Sequence, residues 1–199
     1  MDLTEGTLQE KTARSKKMML WFGIGSLIMS FSALISAFIV SSKQRRDKDW
    51  LNSYDLPNAF YISVAIILLS SLTFVLAKKA LKQKNRQLTT VWLLVTLALG
   101  ITFIFSQLEG FNQIIQTGYN FTGPTSNITM SYIYLIAVVH ILHVIAGLIC
   151  ILVVIYNHFK QKYNANNMLG LELAANFWHF IDLLWLVLFL FLYFFRDII

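Results

Sequence analysis

Residues 130–156 read MSYIYLIAVVHILHVIAGLICILVVIY, a run without one Lys, Arg, Asp or Glu. At ~1.5 Å per helical residue it outreaches the ~30 Å hydrocarbon core of a bilayer, so it reads as a membrane-crossing helix. Four other runs fit the same description, at about 18–40, 58–77, 89–108 and 173–195. Both prolines, Pro57 and Pro124, fall between runs, so none is broken. Across 199 residues, 57% are hydrophobic and 13% charged, and mean hydropathy is +0.62, which excludes an ordinary soluble domain. The predicted fold class is all-α, a polytopic membrane protein built as a five-transmembrane-helix bundle.

The net charge of +6 suggests nucleic acid until the charges are placed. Every Lys and Arg lies outside the apolar runs. Eleven fall in the leader and the even-numbered connections: Lys11, Arg14, Lys16, Lys17, Lys78, Lys79, Lys82, Lys84, Arg86, Lys160 and Lys162. Five fall on the other side: Lys43, Arg45, Arg46, Lys48 and Arg196. The charge is therefore a topology signal, with the N-terminus inside, the C-terminus outside and no nucleic-acid partner expected. Residues 1–17 form a polar N-terminal leader ahead of a membrane domain over 18–199. The first run is too long for a signal peptide, and no small-residue cleavage site ends it. Cys150 is alone, so no intramolecular disulfide is expected. The segment from Glu109 to Thr129 reads as an ordered outer loop.

Ionisable residues hidden in the last two runs mark where to look for chemistry. A carboxylate at bilayer depth costs ~2.5–3.5 kcal/mol on insertion scales, so such groups face a protein interior, a partner or a functional path. His140 and His143 share a helix face at i and i+3. Trp178, Asp182 and Trp185 share a face at i, i+4 and i+7, while Glu172 and His179 share another. Haem or metal ligation by these histidines would need matching ligands at one depth, and the chain offers few. An interior polar framework of His140, His143, Glu172, His179 and Asp182 is the reading taken. Depth places Asp182 ~6 Å from the level of His143, making that histidine its expected partner. In the first run Gly23, Ser26, Ser30, Ala33 and Ala37 form a small-residue stripe, spaced for close helix packing. Either a partner subunit or the chain's own helices would fill it.

The stretch Gly170-Leu-Glu172-Leu-Ala-Ala-Asn-Phe-Trp178-His179-Phe-Ile-Asp182-Leu-Leu-Trp185 closely resembles the last helix of the cytochrome c oxidase subunit III family. His140-x-x-His143-Val144-x-x-Gly147 resembles the helix before it, Gly100 followed by Gln107 the start of the family's outer loop, and Trp21 to Phe31 its first common helix. The chain is similar to the short five-helix members. It departs from the pattern at Leu27, where the family places an intramembrane glutamate, and at Gly110, with Glu109 one residue early. The resemblance implies a non-catalytic subunit III of a haem-copper terminal oxidase in a bacterial inner membrane. It would pack on catalytic subunit I beside subunit II, bind phospholipid, and hold neither haem nor copper itself. The oxidase implied is the cytochrome c-oxidising kind, with a quinol oxidase or a nitric oxide reductase as the alternative owner of such a subunit. From another class, a small proton-coupled transporter or a haem-binding membrane protein stays open.

Overall fold

The computed structural model describes residues 7–44, 56–121, 127–163 and 168–198. Among them are five helices: α1 (Leu8–Gln44), α2 (Asn58–Lys82), α3 (Arg86–Gln116), α4 (Ile128–Phe159) and α5 (Leu169–Ile198). All five are long and apolar enough to cross a membrane. Among the described residues the fold is thus all-α, with five helices long enough to span.

Every helix outruns its predicted apolar run, because a helix continues past the bilayer wherever the chain can still satisfy its ends. The leader is the clearest case. Helix α1 starts at Leu8, inside the segment read as a polar leader, so its 37 residues reach ~55 Å. A capping box starts it: Thr7 N–H donates to Glu10 Oε2 at 3.0 Å, and Glu10 N–H donates to Thr7 Oγ1 at 3.4 Å. The predicted outer loop also shrinks. Helix α3 runs through Glu109 to Gln116, because Gly110 and Ile114 still face the core, with the Phe60 ring lying directly on Gly110. Residues 122–126 of that segment, and the basic patch beyond Gln44, lie outside the described residues.

Helices α2 to α5 close on themselves, each packing on the next and α5 returning to α2. Both turns at one end of this bundle are made alike. Lys84 and Gln161 take positive φ of 60° and 58°, and the following residues reach back to Ala80 O and Asn157 O at 3.0 and 3.1 Å. Asn85 then caps α3 by accepting from Leu88 N–H at 3.2 Å. Inside, large side chains fill spaces left by glycines. A Cβ at Gly100 would stand 2.8 Å from Trp178, and one at Gly147 would stand 2.9 Å from the same indole. Trp178 is thereby clasped between α3 and α4. Helix α1 lies outside the ring and, among the described residues, packs on α4 and α5.

Candidate functional site

Serines and threonines, not charges, hold the bundle's polar interior together. On α2, Phe60, Ser63, Ile67, Ser70, Phe74 and Ala77 recur at helical spacing and all are buried. The Ser63 hydroxyl donates to Phe60 O at 2.7 Å and accepts from Gln107 Nε2 at 2.8 Å and Trp185 Nε1 at 3.0 Å. One turn-pair away, Trp178 Nε1 donates to Ser70 Oγ at 3.1 Å, and Thr73 and Thr96 hydroxyls meet at 2.8 Å. Both α5 tryptophans thus bury their rings and still satisfy their N–H groups, which an indole in an apolar core requires. Of this network the sequence marks Trp178, Trp185 and, through the family pattern, Gln107. The serine period on α2 was the signal for the rest.

The predicted framework residues divide three ways. His140 is wholly buried, stacked on Trp185 at 5.0 Å and edge-on to Phe31 and Phe103, with neither ring nitrogen hydrogen-bonded. Asp182 is 2% exposed, and neither carboxyl oxygen has a hydrogen-bond partner. The Ser71 hydroxyl is the polar group that faces it, close enough to interact but outside hydrogen-bond geometry. That same hydroxyl meets His179 Nδ1 at 2.6 Å, and the His179 ring leans on Phe74. Glu172 is not interior. It sits half-exposed at the end of α5, its carboxylate 3.5 Å from Lys78 Nζ.

His143 points elsewhere again. Its Nδ1 donates back to Val139 O at 2.7 Å, and its ring packs on Phe31 of α1 at 5.6 Å. The expected pairing of Asp182 with His143 is therefore not made. Depth was estimated from rise along the helix, but pairing also needs the right azimuth, and His143 faces α1 while Asp182 faces α2. Among the described residues no group of three or more His, Cys, Asp or Glu side chains is placed to hold a metal ion.

The small stripe on α1 is largely uncovered, its Gly23 and Ser26 bordering a groove beside α4 and α5. Gly23, Ser26, Ser30 and Ala33 are exposed and Ala37 is half-exposed, and a Cβ at Gly23 would meet nothing within 4 Å. The helix packs inward instead through Ile24, Phe31 and Phe38, seven residues apart and 6%, 1% and 0% exposed. A groove of about 810 Å³ opens between α1 and the α4–α5 face. Its walls are apolar, and Lys16, Asn157 and Tyr163 stand toward one end. Burial pushes the Tyr163 hydroxyl above the usual phenol range, against a hydrogen bond from Asn157.

The model of the family described as "Cytochrome c oxidase subunit III" matches residues 4–197. The chain belongs to that family. A cytochrome bo(3) ubiquinol oxidase subunit 3 from Buchnera aphidicola subsp. Baizongia pistaciae is 34% identical over 69% of this chain and 70% of its own. A cytochrome c oxidase subunit 3 from Alkalihalophilus pseudofirmus is 28% identical over 90% of this chain and 86% of its own. Another from Bacillus sp. strain PS3 is 26% identical over 90% and 86%. The family's proteins are subunits of oxidoreductase complexes, so this chain is a membrane subunit of a terminal oxidase. Within its Trp-His-Phe-Ile-Asp run Trp178, Ile181 and Asp182 are buried in the bundle core, as is Trp185 one turn on.

Proposed function

We propose that this chain is the non-catalytic subunit III of a haem-copper oxidase in a bacterial inner membrane, seated on catalytic subunit I beside subunit II. Haem and copper belong to those partners, and the chain supports sustained O2 reduction coupled to proton pumping. What carries the reading is the use made of the motif: Trp178 and Trp185 are hydrogen-bonded packing elements, and His140 is stacked between aromatic rings. Gly23, Ser26, Ser30, Ala33 and Ala37 are the proposed docking stripe, since α1 attaches to the bundle through Ile24, Phe31 and Phe38 and leaves Gly23, Ser26, Ser30 and Ala33 exposed. His140, His143, Glu172, His179 and Asp182 are proposed as polar framework rather than redox ligands.

A bound phospholipid is part of the proposal. The groove beside α1 offers an apolar trough for an acyl chain, and Lys16 and Asn157 suit a phosphate headgroup. The N-terminus is assigned to the cytoplasm on the charge count. Which donor feeds the complex, cytochrome c or ubiquinol, is set by the other subunits. The broader match to the Alkalihalophilus protein favours cytochrome c, and the higher identity of the Buchnera protein favours ubiquinol.

Affinity purification of the tagged chain tests the reading directly: it should bring down a haem-bearing oxidase core. The double variant His140→Ala, His143→Ala should keep the haem spectrum per assembled enzyme, and loss of one haem from an otherwise intact complex would show that these histidines are ligands. Thiol labelling of Lys82→Cys and Gln116→Cys, at opposite ends of the α2–α3 hairpin, should find position 82 on the cytoplasmic side.

A further inference from the structure

Between α1 and α2 the side of the molecule is open. Helix α1 packs on α4 and α5, helix α2 packs on α3 and α5, and among the described residues the two make no contact. The floor of the opening is the flank of α5. At its basic end lies a cavity of about 290 Å³ bordered by Lys17, Trp21, Lys78, Glu172 and Asn176. The Lys78–Glu172 ion pair spans it at 3.5 Å. Two turns further in, seven residues on from Glu172 and seven back from Lys78, His179 and Ser71 meet at 2.6 Å. Beyond them lies Asp182, buried, with both oxygens unpartnered and Ser71 facing it.

Hydrocarbon does not suit such a strip. A carboxyl at this depth needs hydrogen bonds, and a row of half-exposed ionisable and amide groups facing lipid would be costly. Past Asp182 the open flank turns apolar, and the Trp185–Ser63–Gln107 hydrogen bonds are wholly buried. Trp185, Leu188, Phe189 and Leu192 are buried, and Tyr61 closes on Phe189 at 5.0 Å. We propose that the α1–α2 cleft is a water-filled inlet, open at the basic end and closed beyond Asp182, that hydrates Ser71 and His179 and exchanges protons with the Asp182 carboxyl. The charged and titratable groups on its walls are Lys17 from α1, Lys78 from α2, and Glu172 and His179 from α5 itself. A dead end distinguishes this inlet from a transmembrane path. It lets Asp182 equilibrate with one side only, and it requires that the cleft stay wet in the assembled oxidase.

Cysteine accessibility in the assembled complex tests it, with Cys150→Ala removing the native thiol. Asn176→Cys and Ser71→Cys should react with a membrane-impermeant thiol reagent applied at the basic end and not from the other side. Leu183→Cys, exposed on the flank of α5 one residue past Asp182, should stay unlabelled. Failure of Ser71→Cys to react would overturn the inlet, because the water would then stop at the rim. Labelling from the far side would overturn the dead end. Should Ser71→Cys fail to assemble, the unmodified complex gives a second reading. The infrared carboxyl band that Asp182→Asn removes should shift within minutes of transfer to D2O, and a band unmoved for hours would sink the proposal.

Discussion

Helix α5 and helix α1 are alike in length class and apolar character, yet they are built for opposite purposes. In the span window of α5 39% of residues are buried, against 17% for α1. Helix α5 carries its largest side chains on the inward face, and neighbouring helices have made room for Trp178 with Gly100 and Gly147. Helix α1 does the reverse. Three bulky residues at seven-residue spacing attach it to the bundle, while Gly23, Ser26, Ser30 and Ala33 are exposed and a Cβ at Gly23 would meet nothing within 4 Å. Small residues packed against tryptophan lock a fold, whereas small residues left uncovered are suited to a surface that another helix will approach. The first is finished within one chain. The second is the surface proposed for a partner.

The comparison breaks most visibly if a glycine of the locked half is enlarged. In Gly147→Leu the Cβ alone would sit 2.9 Å from Trp178, and three further carbons must follow it. Overpacking of this kind costs ~1–3 kcal/mol or more, and here it forces α4 off α5. The variant should be absent from the membrane fraction, and normal accumulation would refute the clasp. Trp185→Ala comes next. It removes a wholly buried indole, leaves Ser63 without one donor, and uncovers His140. A loss of ~3–5 kcal/mol is expected, read as a lower Tm of the subunit in detergent.

Helix α1 should answer differently. Phe38→Ala empties a site bounded by Tyr132, Phe191 and Phe195 at 5.1–5.7 Å, all toward one end of the helix. The bundle's Tm should fall by less than half the drop in Trp185→Ala, while a nitroxide at Ala37 becomes more mobile. Equal drops would mean that α1 is as integral as α5. Ser30→Leu and Ala33→Leu should leave the Tm of the isolated subunit unchanged, since neither position is covered, and weaken retention in the oxidase on purification. Leu27→Phe, which borders the groove where Ser30 and Ala33 do not, should be milder in retention.

Much of this division was legible in the sequence, but unevenly. The five spans could be read because bilayer thickness demands long apolar runs, and composition alone reveals those. Helix ends could not, since Thr7 and Glu10 or Asn85 extend helices through polar segments by local hydrogen bonds that hydropathy ignores. The face shared by Trp178, Asp182 and Trp185 followed from helical periodicity. Their partners did not, because azimuth between helices is set by packing: Gly100 and Gly147 rotate α3 and α4 onto Trp178, and that rotation turns His143 to α1. Ser63 and Ser70 were readable as a seven-residue repeat, yet an isolated serine period in an apolar run resembles chance until Trp185 and Trp178 are seen to donate to it.

The smallest effect belongs to the one ion pair at the mouth of the cleft. Lys78 and Glu172 are 31% and 36% exposed and 3.5 Å apart, so water screens their attraction and both long side chains lose freedom in making it. Pairs of this kind contribute ~0–1 kcal/mol. Lys78→Met keeps the stem that covers α5 and deletes the charge, so the Tm should move by no more than ~2–4 °C for a chain of this size. The change in retention should be slight too, because the pair joins α2 to α5, which are already held by the Trp178–Ser70 and Trp185–Ser63 bonds. A drop comparable to that of Trp185→Ala would mean that the cleft is drier than its open side suggests. In a dry cleft Glu172 would be left as an uncompensated charge in low dielectric, and its loss of partner would cost several kcal/mol rather than a fraction of one. The size of this one small effect therefore measures how much water the flank of α5 sees.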